Sequence, residues 1–254
     1  MCFKINSFYY DIFKLHSIDI FNHYLKVKKM DINLKQVFKH MINLGSGSLA
    51  HANYLTHFYD MSNSMWSQLG VLQAAHACEI FLKARLAQEH PLLIFESLPK
   101  STADCVNKTT GLLDFESLLQ KGQTINYSEL PEKVWAATGK KINNINLYNN
   151  FGKLRNSIQH FAAPNKDVSL LTSQFIYEVI DPFINSEWDM CAMDYCDDSE
   201  QYEYLIPILA QRNIHFMVSN NMHGGLSELT RLVADGTESY QEKMISLGRE
   251  SGLK

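Results

Sequence analysis

Long apolar segments, paired cysteine motifs and internal repeats are all missing from this 254-residue chain. No stretch of eighteen apolar residues occurs, and residues 1–30 contain no small-residue cleavage site, so we expect neither a membrane-spanning helix nor a signal peptide. The five cysteines are scattered and form no CxxC pair, which argues against a disulfide framework and against a zinc knuckle. These absences favour a cytoplasmic protein without contact to a membrane.

Basic residues are scarce in the C-terminal part of the chain. Residues 1–185 carry 18 Lys and Arg against 15 Asp and Glu, whereas residues 186–254 carry 5 against 12. The net charge of −4 excludes a general polyanion binder, so nucleic acid would need a local basic cleft in the first part. We expect the acidic run to be a solvated surface; the alternatives are a surface that repels RNA or one that docks a basic partner. The run consists of Glu187, Asp189, Asp194, Asp197, Asp198, Glu200 and Glu203.

Apolar residues spaced three and four apart predict a mainly α-helical bundle. The flexible run Gly45-Ser46-Gly47-Ser48 is expected to end the first helix, and Pro91, Pro164 and Pro182 are expected to end later ones. The predicted helices cover residues 31–44, 49–90, 112–119, 146–163, 167–182 and 204–212, with one or two more over residues 223–254.

Three regions follow from this pattern. Residues 1–29 are either an aromatic amphipathic arm or an upstream extension of a protein whose natural start is Met30. Residues 30–185 form the helical domain. Residues 186–254 form an acidic extension, which we expect to be a small mixed appendage because residues 214–218 predict the one convincing strand.

The chemistry-bearing residues of the chain are concentrated between positions 153 and 161, where Arg155, Asn156 and His160 occur together. Such a group suits metal-independent RNA cleavage, in which a 2′-OH attacks its own phosphate. Imidazole titrates near neutrality and can transfer the protons, while guanidinium stays charged and grips phosphate. Spacing alone is weak evidence, because Arg85 and His90 have the same separation. We interpret this second match as structural, since a basic residue at a helix end is expected from the helix dipole.

The surrounding sequence strengthens the match formed by Arg155 and His160. The run from His76 to Ala84 on an early long helix, a polar excursion, and then Arg155-Asn156 with His160 on a later helix resemble the HEPN superfamily over residues 49–185. Many members of that family are α-helical ribonucleases with an RxxxxH-type motif, which work without metal or other cofactor. The resemblance implies a homodimer in which two motifs meet across one RNA-cutting cleft. By motif position, Arg155 binds phosphate, Asn156 orients Arg155 or the substrate, and His160 transfers protons.

Geometry and helix periodicity add two expectations. On a regular helix five residues span roughly 500°, which leaves Arg155 and His160 about 140° apart. Either the helix is distorted, or the long arginine wraps round it, or Arg155 of one subunit serves His160 of the other. Glu79 and Lys83 lie four residues apart on a polar stripe; they are either supporting residues near the cleft, as in some HEPN members, or a simple helix salt bridge.

We therefore expect an endoribonuclease that leaves 2′,3′-cyclic phosphate ends, acts in a toxin–antitoxin or phage-defence role, and has a nucleotidyltransferase-like antitoxin as a partner. The alternative is a catalytically inactive HEPN-like module that binds RNA or nucleotide or mediates dimerisation. A third interpretation, a metal enzyme built on His51, His57 and His76, is weak because their spacings match no metal motif.

Overall fold

The computed structural model describes residues 32–160, 167–196 and 200–254, and these are mainly helical. The predicted arm at residues 1–29, the stop at Pro164 and the acidic residues Asp197 and Asp198 lie outside the described residues. Within the described residues, no helix is both long and apolar enough to cross a membrane. The mainly α prediction is confirmed.

The described elements are mainly helices, with two short strands, β1 and β2, that pair into a sheet. Their bounds are α1 Ile32–His57, α2 Trp66–Glu89, β1 Phe95–Ser97, α3 Phe115–Lys121, β2 Gln123–Thr124, α4 Leu130–Thr138, α5 Ile145–His160, α6 Ser169–Phe175, α7 Asp181–Trp188, α8 Gln201–Gln211, α9 Gly225–Leu232 and α10 Glu238–Glu250.

The chain divides into two compact units. The smaller contains residues 32–36 together with Ser97–Gln123, where α3 follows a 3₁₀ turn. The carboxylate of Asp114 caps α3 by accepting from the N–H of Ser117 at 3.0 Å, so this short helix, predicted at residues 112–119, begins three residues later. The larger unit holds Val37–Glu96 and Thr124–Lys254, and with them the candidate site residues.

Helix α2 is the centre of the larger unit. It packs against α4, α5 and α6. Its alanines Ala74, Ala75 and Ala77 are completely buried, because a methyl side chain lets neighbouring helices approach closely while costing no rotamer entropy. The bulky contact comes from Phe81, whose ring is 1% exposed.

The turn predicted at residues 45–48 is wrong, because α1 continues through it. A Cβ atom at Gly45 would lie 2.9 Å from the Phe81 ring, so this glycine permits close packing of α1 on α2. The long helical region predicted for residues 49–90 is instead interrupted after His57. There the carboxylate of Asp60 and the side-chain oxygen of Asn63 accept backbone N–H groups two residues on, which favours turns over helix.

The stop predicted at Pro182 is also wrong. Helix α6 passes through a π-helical turn, Ile176–Ile180, directly into α7, and Pro182 lies in the first turn of α7. A proline inside a helix has no N–H to donate and its ring collides with the carbonyl four residues earlier. The wider turn, in which the N–H of Asp181 donates to the carbonyl of Ile176, accommodates the ring.

The predicted strand at residues 214–218 is absent, so the C-terminal part is not mixed where the structure describes it. The segment is neither helix nor strand, and its backbone binds side chains instead. The completely buried carboxylate of Asp181 accepts from the N–H of Met217 at 2.7 Å and of Ala192 at 2.6 Å, and the hydroxyl of Tyr240 donates to the carbonyl of Ile214 at 2.8 Å. These long-range partners replace a neighbouring strand.

The acidic run is a solvated surface only in part, which corrects the expectation for two of its residues. The Glu187 side chain is 5% exposed and forms an ion pair with Arg85. The carboxylate of Asp194 accepts from the hydroxyls of Tyr202 at 2.5 Å and Ser219 at 2.8 Å. Both carboxylates therefore hold the fold together.

Candidate active site

Helix α5 carries Arg155, Asn156 and His160, as the stripe predicted. Its apolar face is anchored by Phe151, which is completely buried and stacks on Phe175 with ring centroids 3.8 Å apart. Because this face is fixed against the core, the remaining positions of the helix are directed away from it. Asn156 and His160 are exposed, whereas the Arg155 side chain keeps 26% of its surface exposed.

The Arg155 guanidinium lies between three groups. Its Nη2 is 3.7 Å from Oε2 of Glu79 on α2, and its Nη1 donates to the side-chain oxygen of Asn156 at 3.3 Å. Its Cζ lies 5.8 Å from the centroid of the Tyr127 ring, within the range of a cation–π contact. The structure therefore brings together two residues that the sequence placed about 75 positions apart, Glu79 and Arg155.

Glu79 also binds Lys83, so the two supporting residues join the arginine in one cluster. Lys83 Nζ is 2.7 Å from Oε1 of Glu79 and donates to the hydroxyl of Thr124 at 3.3 Å. The side chain of Lys83 is 9% exposed and that of Glu79 is 18% exposed. One carboxylate thus holds two cations, and the cluster has an excess of positive charge.

A groove of about 580 Å³ opens beside Arg155. Tyr127 forms one wall and stacks on Tyr148 with ring centroids 4.3 Å apart. A Cβ atom at Gly152 would lie 2.7 Å from Cε1 of Tyr127, so only glycine leaves room for this ring. The full lining is Asn126, Tyr127, Ser128, Asn149, Gly152, Lys153, Arg155 and Asn156.

The tyrosines of the groove are neutral at physiological pH. Burial is the main reason that the pKa of Tyr127 and that of Tyr148 lie far above the usual value. The Tyr148 hydroxyl donates to the carbonyl of Tyr127 at 2.6 Å. Neither phenol is suited to act as a general base, and His160 is not among the residues that line the groove.

His160 is the last residue of α5, and α5 is a regular α-helix along its whole length. The distorted helix that would bring Arg155 and His160 onto one face is therefore wrong. Within one chain the two side chains leave the helix axis in directions about 140° apart. Two alternatives remain: a wrapped arginine, or a site shared between subunits.

Sequence reasoning missed Tyr127, Gly152, Lys153 and Thr124. Gly152 carried a usable signal, because a glycine inside an otherwise strong helix pattern often marks a close approach. Tyr127 and Thr124 lie in the polar excursion, where no periodicity shows which residue folds back onto α2 and α5.

The second RxxxxH match forms an ion-pair cluster. Arg85 pairs with Glu187 and, at 2.8 Å, with Glu89. His90 caps the following 3₁₀ turn, since its Nδ1 accepts from the N–H of Leu92 at 3.2 Å. Both members of this match therefore have structural partners.

The histidines of the metal interpretation do not form a metal-binding group. Among the described residues no cluster of three or more His, Cys, Asp or Glu side chains has the geometry to hold an ion. The ring nitrogens of His57 already have partners: Nδ1 lies 2.9 Å from the Asn53 carbonyl and Nε2 lies 3.0 Å from the Ser173 hydroxyl. His51 and His76 are exposed.

Comparison with known proteins yields no relative. No protein-family model, no curated protein and no solved structure matches the chain.

Proposed function

We propose that this protein is a metal-independent endoribonuclease of the HEPN type, which acts as a homodimer and cuts RNA through a 2′,3′-cyclic phosphate. The observation that carries the proposal is the position of Arg155: a partly exposed guanidinium, held by Glu79 and Tyr127 beside an open groove, on the helix that ends in His160. A toxin–antitoxin or phage-defence role, with a nucleotidyltransferase-like antitoxin, belongs to the same proposal.

Each residue of the motif has a chemical role in this reaction. Arg155 binds a non-bridging phosphate oxygen and stabilises the additional negative charge of the transition state. His160 accepts the proton of the 2′-OH as its oxygen bonds to phosphorus, and returns a proton to the 5′-oxygen as the bond from phosphorus to that oxygen breaks, so that a 2′,3′-cyclic phosphate forms. Asn156, whose side-chain oxygen accepts from Arg155, restricts the orientation of the guanidinium. Glu79 acts as a positioning residue, because its carboxylate fixes Arg155 without reaching the substrate.

The regular geometry of α5 favours a site formed by two subunits. Arg155 and His160 leave one helix in different directions, whereas in a two-fold dimer Arg155 of one subunit can face His160 of the other. Support for an RNA ligand comes from the charge of the groove, where Lys153 and Arg155 contribute cations in a chain that is otherwise net acidic.

The experiment is incubation of purified protein with total cellular RNA in EDTA, followed by sequencing of 2′,3′-cyclic phosphate ends. Wild type is expected to cleave, and His160→Ala is expected to be inactive yet folded. His90→Ala is the matched control, because it removes the histidine of the second RxxxxH match and should leave cleavage unchanged. Activity retained in His160→Ala refutes the proposal. Protection of RNA without cleavage by wild type indicates the inactive binding module instead.

A mixing experiment tests the shared site. Arg155→Gln and His160→Ala are each expected to be inactive as homodimers. In a heterodimer of the two, one composite site keeps both wild-type side chains if the site spans the subunits. Random exchange makes half of the dimers mixed, each with one intact site of two, so we expect about a quarter of wild-type activity. No recovered activity, with subunit exchange verified, means that arginine and histidine act within one chain.

A further inference from the structure

A second pocket lies in the larger unit, apart from the Arg155 groove, and we call it the Arg212 pocket. The end of α1, the start of α2, residues 167–169 and Arg212 form its walls. Its volume of about 520 Å³ is within the range of about 300–1,000 Å³ that is usual for small-molecule sites.

Arg212 is a half-buried cation whose hydrogen-bond partners are neutral hydroxyls. Its Nη1 donates to the hydroxyl of Ser173 at 2.6 Å and its Nη2 to the hydroxyl of Ser169 at 3.2 Å. In the described ranges 32–160, 167–196 and 200–254, no carboxylate forms an ion pair with it. Arginines removed from water are normally paired with an anion. The guanidinium is therefore fixed in place with capacity left for an anionic ligand.

The groups around Arg212 hold it rigidly without neutralising it. Ser173 also contacts Nε2 of His57 at 3.0 Å, and burial, assisted by Arg212, lowers the pKa of His57 to about 4, so this ring is neutral. Asp167 is an acid of the same pocket, and its charge raises the pKa of Arg212, although burial lowers that pKa more strongly. It forms no ion pair with Arg212; its two oxygens accept from the N–H of Ser169 at 2.8 Å and from the Ser169 hydroxyl at 2.9 Å. Ser173 is completely buried and hence is a support, not a nucleophile.

A helix end and aromatic rings complete the pocket. Helix α2 begins at Trp66 with no acidic residue in its first turn and no side-chain cap, so the positive end of a 24-residue helix is not compensated at this wall. The Trp66 indole donates to the carbonyl of Phe58 at 3.0 Å, which fixes its ring. Tyr59 is 79% exposed at the same wall, where a flat ligand ring can stack.

From this arrangement we infer that the Arg212 pocket binds a nucleoside monophosphate, with the phosphate on Arg212 and the N-terminus of α2 and the base against the aromatic wall. This site is independent of the proposed RNA cleavage, since it shares no residue with the Arg155 groove. The end of the pocket at Arg212 selects for a negatively charged group, whereas the aromatic end accepts any flat base.

Isothermal titration calorimetry on the full chain tests the inference with AMP, adenosine and inorganic phosphate as probes. AMP is expected to bind, phosphate more weakly, and adenosine at least tenfold more weakly than AMP. Arg212→Gln is expected to weaken AMP binding by about tenfold to a hundredfold, because a charge-assisted bidentate contact is lost. Arg249→Gln is the matched control: it removes the same charge from an exposed position of α10 and should bind AMP as wild type does.

Asp167→Asn provides a second test that does not depend on the stability of Arg212→Gln. The amide oxygen can still accept from Ser169, while the negative charge of the pocket is removed, so AMP is expected to bind several-fold more tightly and adenosine unchanged. Failure of wild type to bind AMP overturns the inference, and so do equal affinities for AMP and adenosine. An unchanged or weaker affinity in Asp167→Asn also overturns it. None of these outcomes depends on whether RNA is cleaved.

Discussion

His57 makes the stability of this protein sensitive to mild acid. Its ring lies against Ser173 and Asn53 at the wall of the Arg212 pocket, and both nitrogens have hydrogen-bond partners. Burial, with a contribution from the positive charge of Arg212, lowers its pKa from 6.5 to about 4, although the bond to Asn53 opposes this shift. Protonation would place a second cation beside a half-buried arginine.

The size and sign of the effect follow from linkage. The unfolded chain binds a proton at His57 below about pH 6.5, whereas the folded chain binds it only near pH 4. The folded state is therefore stabilised by the neutral ring above pH 6.5, and this stabilisation is lost as the pH falls from about 6.5 to about 4. A shift of about 2.5 pH units corresponds to about 3.4 kcal/mol. Because one edge of the ring faces the open pocket, we expect about 2–3 kcal/mol.

Urea denaturation followed by tryptophan fluorescence, at several pH values between 4 and 7.5, measures this contribution. Wild type is expected to lose about 2–3 kcal/mol more than His57→Gln across this range, since glutamine does not titrate. His51→Gln is the control, because His51 lies exposed on the same helix and should leave the profile unchanged. Parallel profiles for wild type and His57→Gln refute the reasoning, as does an NMR titration that places the His57 pKa near 6.5.

Three other predictions concern Asp181, the Arg155 cluster and the groove wall. Burial raises the pKa of Asp181 to about 7, so the stability that its protonated form contributes is lost as the pH rises from about 4 to about 7, opposite in sign to the contribution of His57. Asp181→Asn should remove this contribution, which urea denaturation measures as the difference between the pH profiles of the two proteins. Glu79→Gln frees the charge of Arg155, and fluorescence anisotropy with RNA at low salt should show several-fold tighter binding; unchanged affinity would mean that RNA does not reach Arg155. Gly152→Ala places a methyl group against Tyr127 and should cost about 1–3 kcal/mol in thermal unfolding; a stability equal to that of wild type would contradict the close approach.

Periodicity in the sequence was sufficient to predict the helical class and the helix that carries the motif. The spacing of Phe151 with its apolar neighbours predicted α5 to within a few residues, because a helix must turn one face to the core. The helix predicted from residue 167 begins at Ser169, and its N-cap is Val168 without a side-chain cap; the Asp167 side chain accepts from the N–H of Ser169 just before it. These features depend on interactions between residues close in the chain.

Glycine and proline residues gave wrong helix ends at positions where tertiary contacts determine the structure. Gly45 and Pro182 were expected to end helices. Instead, Gly45 leaves room for the ring of Phe81, and a π-helical turn accommodates the ring of Pro182. Conversely, the sequence pattern did not predict α4, although Pro131 lies in its first turn and Gly139 ends it in the left-handed conformation. A glycine or proline indicates a position with special requirements, but the local sequence does not show whether that position begins a helix, ends it or lies within it.

By itself the sequence determined that the protein is mainly helical and that Arg155, Asn156 and His160 share one helix. Only the tertiary structure joined Glu79, Lys83 and Tyr127 to Arg155, and only it placed Arg212 in a pocket where it donates to the hydroxyls of Ser169 and Ser173. The physical reason is distance along the chain: helix periodicity relates residues three or four positions apart, whereas these contacts depend on how packed side chains bring separate helices together.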